Sequence, residues 1–332
     1  MKAFVIDKYN GPLHAAEVQT PTLGPSDVYV KVMAASVNPL DTLVRKGQFK
    51  QLLKYRMPLI LGHDVAGVVT DIGSGVTDFK IGDEIFARPR DLRIGTYAEY
   101  IAIHQDDVAH KPTTLSFEEA AAVPLVALAA WQMLVDTAQI KPDHKVLVHA
   151  GAGGLGSTVI QLAKHLGAQV ATTAGTSSTE LVTSLGADVV IDYRTTDFAD
   201  VLSGYDVAID TVGGDNLMKT LTVLAPGGLA LGVTGPPDAG FATQLGAPAP
   251  FKLVLSLLSG KVRSAAKKHG VRYSFFFMQA SGEQLRELAA LYDTGHLRPV
   301  IDSTFPFDKT VEALAYVEAG KTKAGKVVIT HN

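Results

Sequence analysis

Residues 149–157 read His-Ala-Gly-Ala-Gly-Gly-Leu-Gly-Ser and separate two segments of different character. Residues 145–148 before them form a short apolar run typical of a buried strand, whereas residues 158–166 after them carry apolar side chains at helical spacing. Another strand-like run follows at residues 169–173. This order predicts a βαβ unit in which glycines let the backbone turn tightly and approach a phosphate at the start of the helix. The stretch therefore indicates a dinucleotide site.

The same alternation continues to about residue 233. We predict strands at residues 145–149, 169–173, 189–192, 207–210 and 229–233. The predicted helices between them cover residues 154–166, 177–185 and 216–224. Strands that alternate with helices indicate a parallel sheet covered by helices on both faces. The fold class is therefore α/β, with a central doubly wound parallel sheet.

The first third of the chain has a different texture. Short runs rich in Val, Ile, Phe and Tyr are separated by Gly-containing turns, which favours a small barrel or sandwich. Ser116 and Glu119 form a capping box, and a helix is expected from there to about residue 136. Strand-like texture returns near residues 271–278 and 326–330. We therefore expect the N-terminal part and the C-terminal tail to build a second domain, with the active site in the cleft between the two domains.

Three segments follow residue 235, and the stretch from residue 236 to residue 258 is expected to help set the shape of the substrate pocket. Residues 236–250, rich in Gly, Ala and Pro, are expected to be a flexible connection, and residues 251–259 a short apolar helix. Residues 261–269 form a basic run typical of a solvated helical face.

Composition excludes several classes of protein. The 332 residues are 47% hydrophobic and carry a formal net charge of −3, so nucleic acid and anionic membranes are not expected as partners. The chain has no cysteine, which removes disulfides, thiolate metal sites and a cysteine nucleophile. Residues 1–7 do not resemble a signal peptide, and the longest apolar run is too short for a bilayer. A soluble cytoplasmic protein is expected.

Several motifs along the chain resemble those of the medium-chain dehydrogenase/reductase superfamily, in its zinc-free quinone oxidoreductase branch. In chain order they are Val37-Asn38-Pro39-Leu40-Asp41, Gly62-His63-Asp64-Val65-Ala66-Gly67, Gly95-Thr96-Tyr97-Ala98-Glu99-Tyr100, the glycine loop, Asp210-Thr211-Val212-Gly213-Gly214 and Ala324-Gly325-Lys326-Val327-Val328. The resemblance implies a Rossmann NADP-binding domain at residues 123–262. It also implies a discontinuous β-rich, GroES-like catalytic domain at residues 1–122 and 263–332, and commonly a homodimer.

The positions that hold catalytic zinc in other branches of the superfamily carry unsuitable residues here. Asn38 and Leu125 replace two ligands, and only His63 is retained. Tetrahedral zinc requires thiolate, imidazole or carboxylate ligands, so we predict no metal. A hydrogen-bonded turn is the expected role of His63 and Asp64.

Without a metal to stabilise an alkoxide, reduction of a quinone or an α,β-unsaturated carbonyl is favoured over alcohol oxidation. The oxygen that gains charge then needs hydrogen-bond donors. The predicted catalytic residues are Asn38 beside the nicotinamide, Asp41 fixing its loop, and Arg45. Helix capping by Asp41 and a surface position for Arg45 remain alternatives. Alcohol dehydrogenase activity, or a nucleotide-binding structural or regulatory role, are the alternative functions.

The predicted cofactor is NADP(H). The strand at residues 169–173 leads into Thr176, Ser177 and Ser178 without a carboxylate before Glu180, and hydroxyls accept a 2′-phosphate that a carboxylate would repel. Tyr193 matches a family tyrosine near the adenosine phosphate, and Arg194 could supply a cation. The predicted cofactor contacts are Ala150, Gly151, Gly153, Gly154, Leu155, Gly156, Thr173, Gly175, Thr176, Ser177, Ser178, Tyr193, Arg194, Thr211, Val212, Gly232, Val233, Phe275, Phe277 and Lys326.

Overall fold

The computed structural model describes residues 1–331, and the chain folds into two compact units. The first comprises Met1–Leu128 together with the chain from Gln279 onward, and the second is Ala129–Met278. The first unit is discontinuous in the chain, and the second unit lies between its two segments in sequence.

The strands, numbered in chain order, are β1 (Lys2–Ile6), β2 (His14–Glu17), β3 (Asp27–Val37), β4 (Leu59–Ile60), β5 (Asp64–Ile72), β6 (Glu84–Ala87), β7 (Tyr100–His104), β8 (Val108–His110), β9 (Lys145–Val148), β10 (Gln169–Ala174), β11 (Val189–Asp192), β12 (Tyr205–Asp210), β13 (Leu224–Gly232), β14 (Arg272–Phe275), β15 (Ile301–Pro306) and β16 (Lys326–Thr330). The α-helices are α1 (Pro39–Arg45), α2 (Phe117–Ala121), α3 (Pro124–Trp131), α4 (Gly154–His165), α5 (Thr179–Ser184), α6 (Phe198–Val201), α7 (Gly214–Val223), α8 (Ala239–Gln244), α9 (Ala249–Leu258), α10 (Gly260–Lys268), α11 (Gly282–Asp293) and α12 (Thr310–Glu318). Single 3₁₀ turns lie at Gln105–Asp107, Thr176–Ser178 and Phe307–Lys309, and a π-helical turn lies at Gln132–Thr137.

The second unit is built on one parallel sheet with the strand order β11-β10-β9-β12-β13-β14. Three consecutive residues of β9, Val146, Leu147 and Val148, are fully buried, as expected for a central strand covered on both faces. The chain passes from β9 to β10 on one side and later to β12 on the other. The carboxyl end of β9 is therefore the topological switch point, where ligands bind in open α/β sheets.

Helix α4 follows that switch point and packs one face on the sheet. Val159, Ile160, Leu162 and Ala163 are fully buried, which matches the spacing read from the sequence. Burial of one side chain of this size stabilises the fold by roughly 1.5–3 kcal/mol. The helix ends before Gly167, whose φ of 85° suits glycine.

Both boundaries between the units differ from the predicted ones, since residues 123–128 belong to the first unit and residues 263–278 to the second. Strand β14 pairs in parallel with β13, with Leu229 opposite Arg272 and Gly232 opposite Phe275. Val262 and Ala266 of α10 also belong to the core cluster of this unit. Residues 263–278, predicted to be part of the β-rich domain, therefore belong to the parallel-sheet unit, because strand pairing determines their assignment.

The first unit is β-rich. Its larger sheet has the order β15-β16-β3-β5-β6-β8, with β7 also paired to β3, and a smaller sheet has the order β2-β1-β4. Strand β16 lies antiparallel to β3 and buries Val327, Val328 and Ile329. The C-terminal tail thus completes a sheet begun by the N-terminal residues. The predicted α/β fold class, with its Rossmann and GroES-like parts, is confirmed.

Two predicted segments differ in detail. The helix expected from Ser116 to about residue 136 is interrupted between α2 and α3, because Pro124 has no N–H to continue α2 and instead begins a new helix. The expected flexible connection contains α8, whose cap is Asp238, an acceptor for the Phe241 N–H at 3.0 Å. In the described part of the chain, every helix is too short or too polar to cross a lipid bilayer.

Candidate functional site

The loop after β9 is tied to the neighbouring strand β10. Ala150 adopts a left-handed backbone conformation with φ 52°, and its N–H donates to Thr173 Oγ1 at 3.2 Å. The Gly151 N–H donates to the Thr173 carbonyl at 3.0 Å, and the Gly153 N–H donates back to the Ala150 carbonyl at 3.0 Å. Thr173, predicted as a cofactor contact, therefore holds the loop.

Two glycines of the loop have no room for a side chain. A Cβ at Gly151 would lie 2.0 Å from Thr172 Oγ1, and one at Gly156 would lie 2.4 Å from the Ala150 carbonyl oxygen. A Cβ at Gly153 would meet only that same carbonyl, at 3.3 Å. The first and last glycines are therefore required for the close approach of strand, loop and helix.

The first turn of α4 contains backbone N–H groups that have no acceptor within the helix. Its N-cap is Gly153, which provides no side-chain acceptor. The N–H groups of Gly154, Leu155 and Gly156 lie in the first turn, where an α-helix offers no backbone partner. Together with the positive end of the helix dipole, these groups form a site for an anion. The geometry fits a dinucleotide pyrophosphate.

His149 holds the glycine loop in place through contacts of both ring nitrogens, a role that the sequence did not indicate. Its Nδ1 lies 3.1 Å from Thr173 Oγ1 and its Nε2 lies 2.9 Å from Thr220 Oγ1. Thr220 donates its own hydroxyl hydrogen to the Asn216 carbonyl at 2.8 Å, so it accepts from His149 Nε2–H. Thr173 then donates to Nδ1 while accepting from Ala150. Burial lowers the pKa of His149 to about 4, and the ring is neutral at pH 7.

Arg194, Tyr193 and Gly175 lie together near the end of β10. The Arg194 guanidinium carbon is 4.8 Å from the centre of the exposed Tyr193 ring. A Cβ at Gly175 would lie 2.0 Å from Arg194 Nη1, so the guanidinium lies directly against the glycine backbone. The structure thus brings these three predicted cofactor residues into one exposed group that carries a cation.

Asp192 is a residue of this region that the sequence interpretation did not include. Strands β10 and β11 are parallel neighbours with Ala174 opposite Asp192, so this carboxylate lies beside the hydroxyl-rich turn Thr176–Ser178. Thr176 Oγ1 donates to Asp192 Oδ2, and this bond is the largest cause of the lowered pKa of Asp192. The pairing register of β10 with β11 was the signal that could have located Asp192.

The ends of the next strands carry further predicted contacts. Asp210, the last residue of β12, accepts from the N–H groups of Val212 at 2.9 Å and Gly213 at 3.1 Å. Thr211 Oγ1 donates to the His149 carbonyl at 3.1 Å. Thr211 and Val212 are therefore held at the same edge of the sheet as the glycine loop.

Gly232 ends β13 and Val233 follows it, while Phe275 ends β14 and Phe277 lies two residues later. Phe275 and Phe277 pack on Phe241, with ring centres 5.0 and 5.1 Å apart. Gly232 lies opposite Phe275, and the Val233 N–H donates to the Asp210 carbonyl at 3.1 Å. All predicted contacts of this unit lie at carboxyl ends of parallel strands, in the loops that follow them or in the first turn of α4.

In the first unit, Asp41 is fully buried and accepts four hydrogen bonds. Its Oδ1 contacts His63 Nδ1 at 2.6 Å and the Gly62 N–H at 3.1 Å. Its Oδ2 accepts from the Tyr97 hydroxyl at 2.9 Å and the Asn38 N–H at 2.8 Å. Asn38 is the N-cap of α1, and Asp41 is the third residue of that helix. The hydrogen bond between the Asp41 carboxylate and the Asn38 N–H is that of a capping box, which matches the alternative interpretation of Asp41. Burial, followed by the charge of Asp41, raises the pKa of Tyr97.

Asp64 is the centre of a second buried group. Its Oδ2 accepts from Ser36 Oγ at 2.8 Å, Asn38 Nδ2 at 2.8 Å and Lys326 Nζ at 3.0 Å, and its Oδ1 accepts from the Leu125 N–H at 2.7 Å. Lys326 Nζ also donates to Asn38 Oδ1. Asp64 is fully buried and Lys326 is 6% exposed, so the ion pair compensates two charges removed from water.

Three strands bring this group together. Ser36 lies opposite Asp64 in the β3–β5 ladder and opposite Val328 in the β3–β16 ladder. Lys326, predicted as a cofactor contact, therefore lies in the first unit with its ammonium group on Asp64. The sequence motif located the lysine but not its ion pair.

Arg45 is not part of this group. Its Nη2 lies 2.7 Å from Glu318 Oε1 and its Nη1 donates to the Gly11 carbonyl at 3.0 Å. These contacts join the end of α1 to α12. They support the alternative, structural interpretation of Arg45.

The donor set around Asn38 does not fit zinc. Both ends of the Asn38 amide are engaged, and Leu125 contributes only its N–H to Asp64. His63 Nδ1 is directed at Asp41, while the carboxylate of Asp64 faces an ammonium group. Among residues 1–331, no three His, Asp or Glu side chains are grouped as metal ligands.

Comparison with known proteins agrees with this architecture. Residues 24–113 match the family model of the alcohol dehydrogenase GroES-like domain, and residues 185–329 match that of a zinc-binding dehydrogenase. The chain is 37% identical to 2-methylene-furan-3-one reductase of Solanum lycopersicum, covering 95% of this chain and 74% of the relative. It is 34% identical to the NADPH-dependent alkenal/one oxidoreductase, chloroplastic, of Arabidopsis thaliana, covering 99% of this chain and 79% of the relative.

A solved structure supports the same assignment. The quinone oxidoreductase from Coxiella burnetii superposes with a TM-score of 0.85 at 32% identity, and 99% of each chain is covered. Three observations lead to one conclusion. The glycine loop lies at the switch point, the C-terminal tail completes the sheet of the β-rich unit, and the chain is similar to these known proteins. The chain belongs to the medium-chain dehydrogenase/reductase superfamily and is quinone oxidoreductase-like.

Proposed function

We propose that this protein is an NADPH-dependent oxidoreductase that reduces a quinone or an α,β-unsaturated carbonyl without a metal. The observation that carries the proposal is the glycine loop, where the first turn of α4 offers unpaired N–H groups for a pyrophosphate. The names of the relatives, an enone reductase and an alkenal/one oxidoreductase, support the type of acceptor. The cofactor, when bound, supplies a hydride, and the acceptor oxygen then requires a hydrogen-bond donor and a proton.

The preference for NADPH over NADH is supported by the surroundings of Arg194. Its guanidinium lies against Gly175, beside the hydroxyls of the Thr176–Ser178 turn, and offers charge-assisted hydrogen bonds to a 2′-phosphate. The nearby carboxylate of Asp192 is engaged by Thr176 Oγ1. Isothermal titration with each cofactor tests the preference: tighter binding of NADH would contradict it.

Among the proposed catalytic residues, Asn38 is the candidate donor to the acceptor oxygen, through the second Nδ2 hydrogen besides the one that Asp64 accepts. Asp41 accepts a hydrogen bond from the Asn38 N–H, and the contacts of Arg45 with Gly11 and with Glu318 of α12 favour a supporting role for Arg45. Loss of one donor to a developing oxyanion typically reduces kcat by about a hundredfold or more. We expect Asn38→Ala to lower kcat to this extent while leaving the Kd for NADPH unchanged, and an unchanged kcat would remove Asn38 from the reaction.

The activity itself is tested with purified protein. NADPH oxidation is followed by loss of nicotinamide absorbance with 1,4-benzoquinone and with methyl vinyl ketone as acceptors, and the reverse direction is followed with NADP⁺ and simple alcohols. Reduction of either acceptor is expected. Binding of NADPH with no oxidation by either acceptor would contradict the reductase proposal and favour a nucleotide-binding regulatory role. Turnover of alcohols alone would favour an alcohol dehydrogenase.

We also propose a homodimer in the cytoplasm. Strand β14 is an edge strand of the parallel sheet, and an edge with unpaired backbone groups can pair with a second copy. Light scattering of the purified protein at increasing concentration tests the dimer, and fractionation of the source cells tests the location.

A further inference from the structure

Helix α9 exposes an apolar face. Leu253, Val254, Leu257 and Leu258 are 63%, 49%, 72% and 60% exposed, whereas Leu255 is buried. At 3.6 residues per turn, the four exposed side chains occupy an arc of about 140° on the helix surface. Four large aliphatic side chains on one arc form a patch, unlike single exposed leucines, and such a patch on a folded protein marks an interaction surface.

The same segment carries a local positive charge. Between Ala249 and Gly270 the chain has five cations, Lys252, Lys261, Arg263, Lys267 and Lys268, and no Asp or Glu. The net charge of the whole chain is −3, so this charge is concentrated against the trend of the molecule. The four lysines form no ion pair in the described structure, and all but Lys252 are exposed.

The fold does not require the exposed faces of α9 and α10. Ser259 lies between α9 and α10, and it is fully buried with its hydroxyl donating to the Leu255 carbonyl at 2.9 Å. Arg263 Nη1 donates to Ser256 Oγ at 2.8 Å, which links the two helices. Val262 and Ala266 belong to the core of the parallel-sheet unit. One face of the helix pair thus anchors it, and its apolar and cationic side chains remain available.

We propose that residues 249–268, which we call the α9–α10 surface, bind peripherally to an anionic lipid bilayer. Aliphatic side chains flanked by lysines, with no acidic residue among them, are the combination that binds in the interface of an anionic membrane. A second copy is a poorer occupant, because a twofold contact would place the same cations against one another. This proposal depends on neither the cofactor nor the acceptor. It revises the expectation, based on net charge alone, that anionic membranes are not partners.

The test is flotation of the full-length protein with vesicles of phosphatidylcholine plus phosphatidylglycerol, and with phosphatidylcholine alone. Binding is expected only to the anionic vesicles and should weaken as salt is raised. The variant K261E/K268E should reduce the partition coefficient by at least about 30-fold, since each cation near an anionic surface contributes roughly fivefold. The variant L253S/L257S should reduce it by about tenfold or more, because the lost contacts are apolar.

Matched controls lie in the other unit. Ile81 and Leu92 are 63% and 54% exposed, and Lys80 is also exposed. I81S, L92S and K80E should leave flotation unchanged, and circular dichroism should confirm that all variants are folded. Failure of the unaltered protein to float at low salt, or equal binding to both vesicle types, would overturn the proposal. A fall in oligomeric mass of L253S/L257S without a change in flotation would instead identify the surface as a contact between copies.

Discussion

The two units organise polar groups in opposite ways. In the parallel-sheet unit, the glycine loop is nine consecutive residues whose ligand donors are backbone N–H groups at the start of α4. In the β-rich unit, the buried group around Asp64 consists of side chains from distant segments, and Lys326 lies 262 positions from Asp64. The first arrangement depends on the absence of side chains, and the second depends on charges that compensate one another. They should therefore fail in different ways when altered.

The largest effect is expected from removal of a charge from the buried group. Lys326→Met leaves the carboxylate of Asp64 buried without its cation, and breaking a buried pair in this way costs about 3–5 kcal/mol of unfolding free energy. Urea denaturation measures the change, and exposed Lys321→Met serves as the control. The double variant D64N/K326M should recover part of the loss; additive losses in the double variant would show that the two charges are not coupled.

The next effect concerns His149, the neutral imidazole that holds the glycine loop in place. The pKa of His149 is about 4 in the folded chain and 6.5 ordinarily, so between these values the unfolded chain binds a proton that the folded chain does not. The free energy of unfolding therefore has its full value above pH 6.5. As the pH falls toward 4, protonation of the unfolded chain lowers it by on the order of 3 kcal/mol.

Urea denaturation across this pH range measures the slope. His331 in the other unit also has a pKa lowered to about 4 by burial, so the wild-type slope contains both residues. The comparison of H149Q with H331Q separates them, since each variant should remove part of the slope. An H149Q variant with the full wild-type slope would show that His149 is protonated in the folded state.

A smaller effect is expected from a single methyl group in the loop. Gly156→Ala forces a Cβ against the Ala150 carbonyl, and overpacking of this kind costs about 1–3 kcal/mol. Displacement of α4 should also raise the Kd for NADPH by about tenfold or more. Gly153→Ala is the matched control, because its Cβ has a contact no closer than 3.3 Å. If both variants bind NADPH equally, close packing at Gly156 is not what shapes the loop.

The smallest effect is expected at the edge of the cofactor region, where a side chain supplements the backbone. Arg194→Gln keeps a hydrogen-bonding group but removes the cation beside Gly175, and should weaken NADPH binding by about tenfold while leaving NADH binding unchanged. Titration calorimetry with both cofactors provides the ratio. An equal loss for NADH would assign Arg194 to the shape of the loop and not to the 2′-phosphate.

Much of the fold could be predicted, and the errors have a common physical origin. Strands β11 and β16 have the predicted bounds, because each is a short apolar run between clear turns. The assignment of residues 263–278 was wrong, because the partner of β14 is a strand some forty positions earlier. The interrupted helix at Pro124 reflects a local rule that the alanine-rich composition of the segment concealed.

The candidate sites divide in the same way. The cofactor loop, the hydroxyl-rich turn and the strand ends followed from motif and order. The ion pair of Lys326 with Asp64, the anchoring role of His149 and the position of Asp192 did not, since each depends on which strands are neighbours and in which register.

By itself, the sequence determined the βαβ unit at residues 145–173 with its glycine loop at residues 149–157, because glycine spacing, strand length and helix periodicity are properties of consecutive residues. The resemblance to the superfamily further implies that Asn38 and Leu125 stand at positions where other branches hold zinc. Only the tertiary structure decided that Lys326 provides the cation for Asp64 and donates to Asn38, 288 positions away. The pairing of β16 with β3 brings these groups together, and the cost of burying a charge makes their contact obligatory.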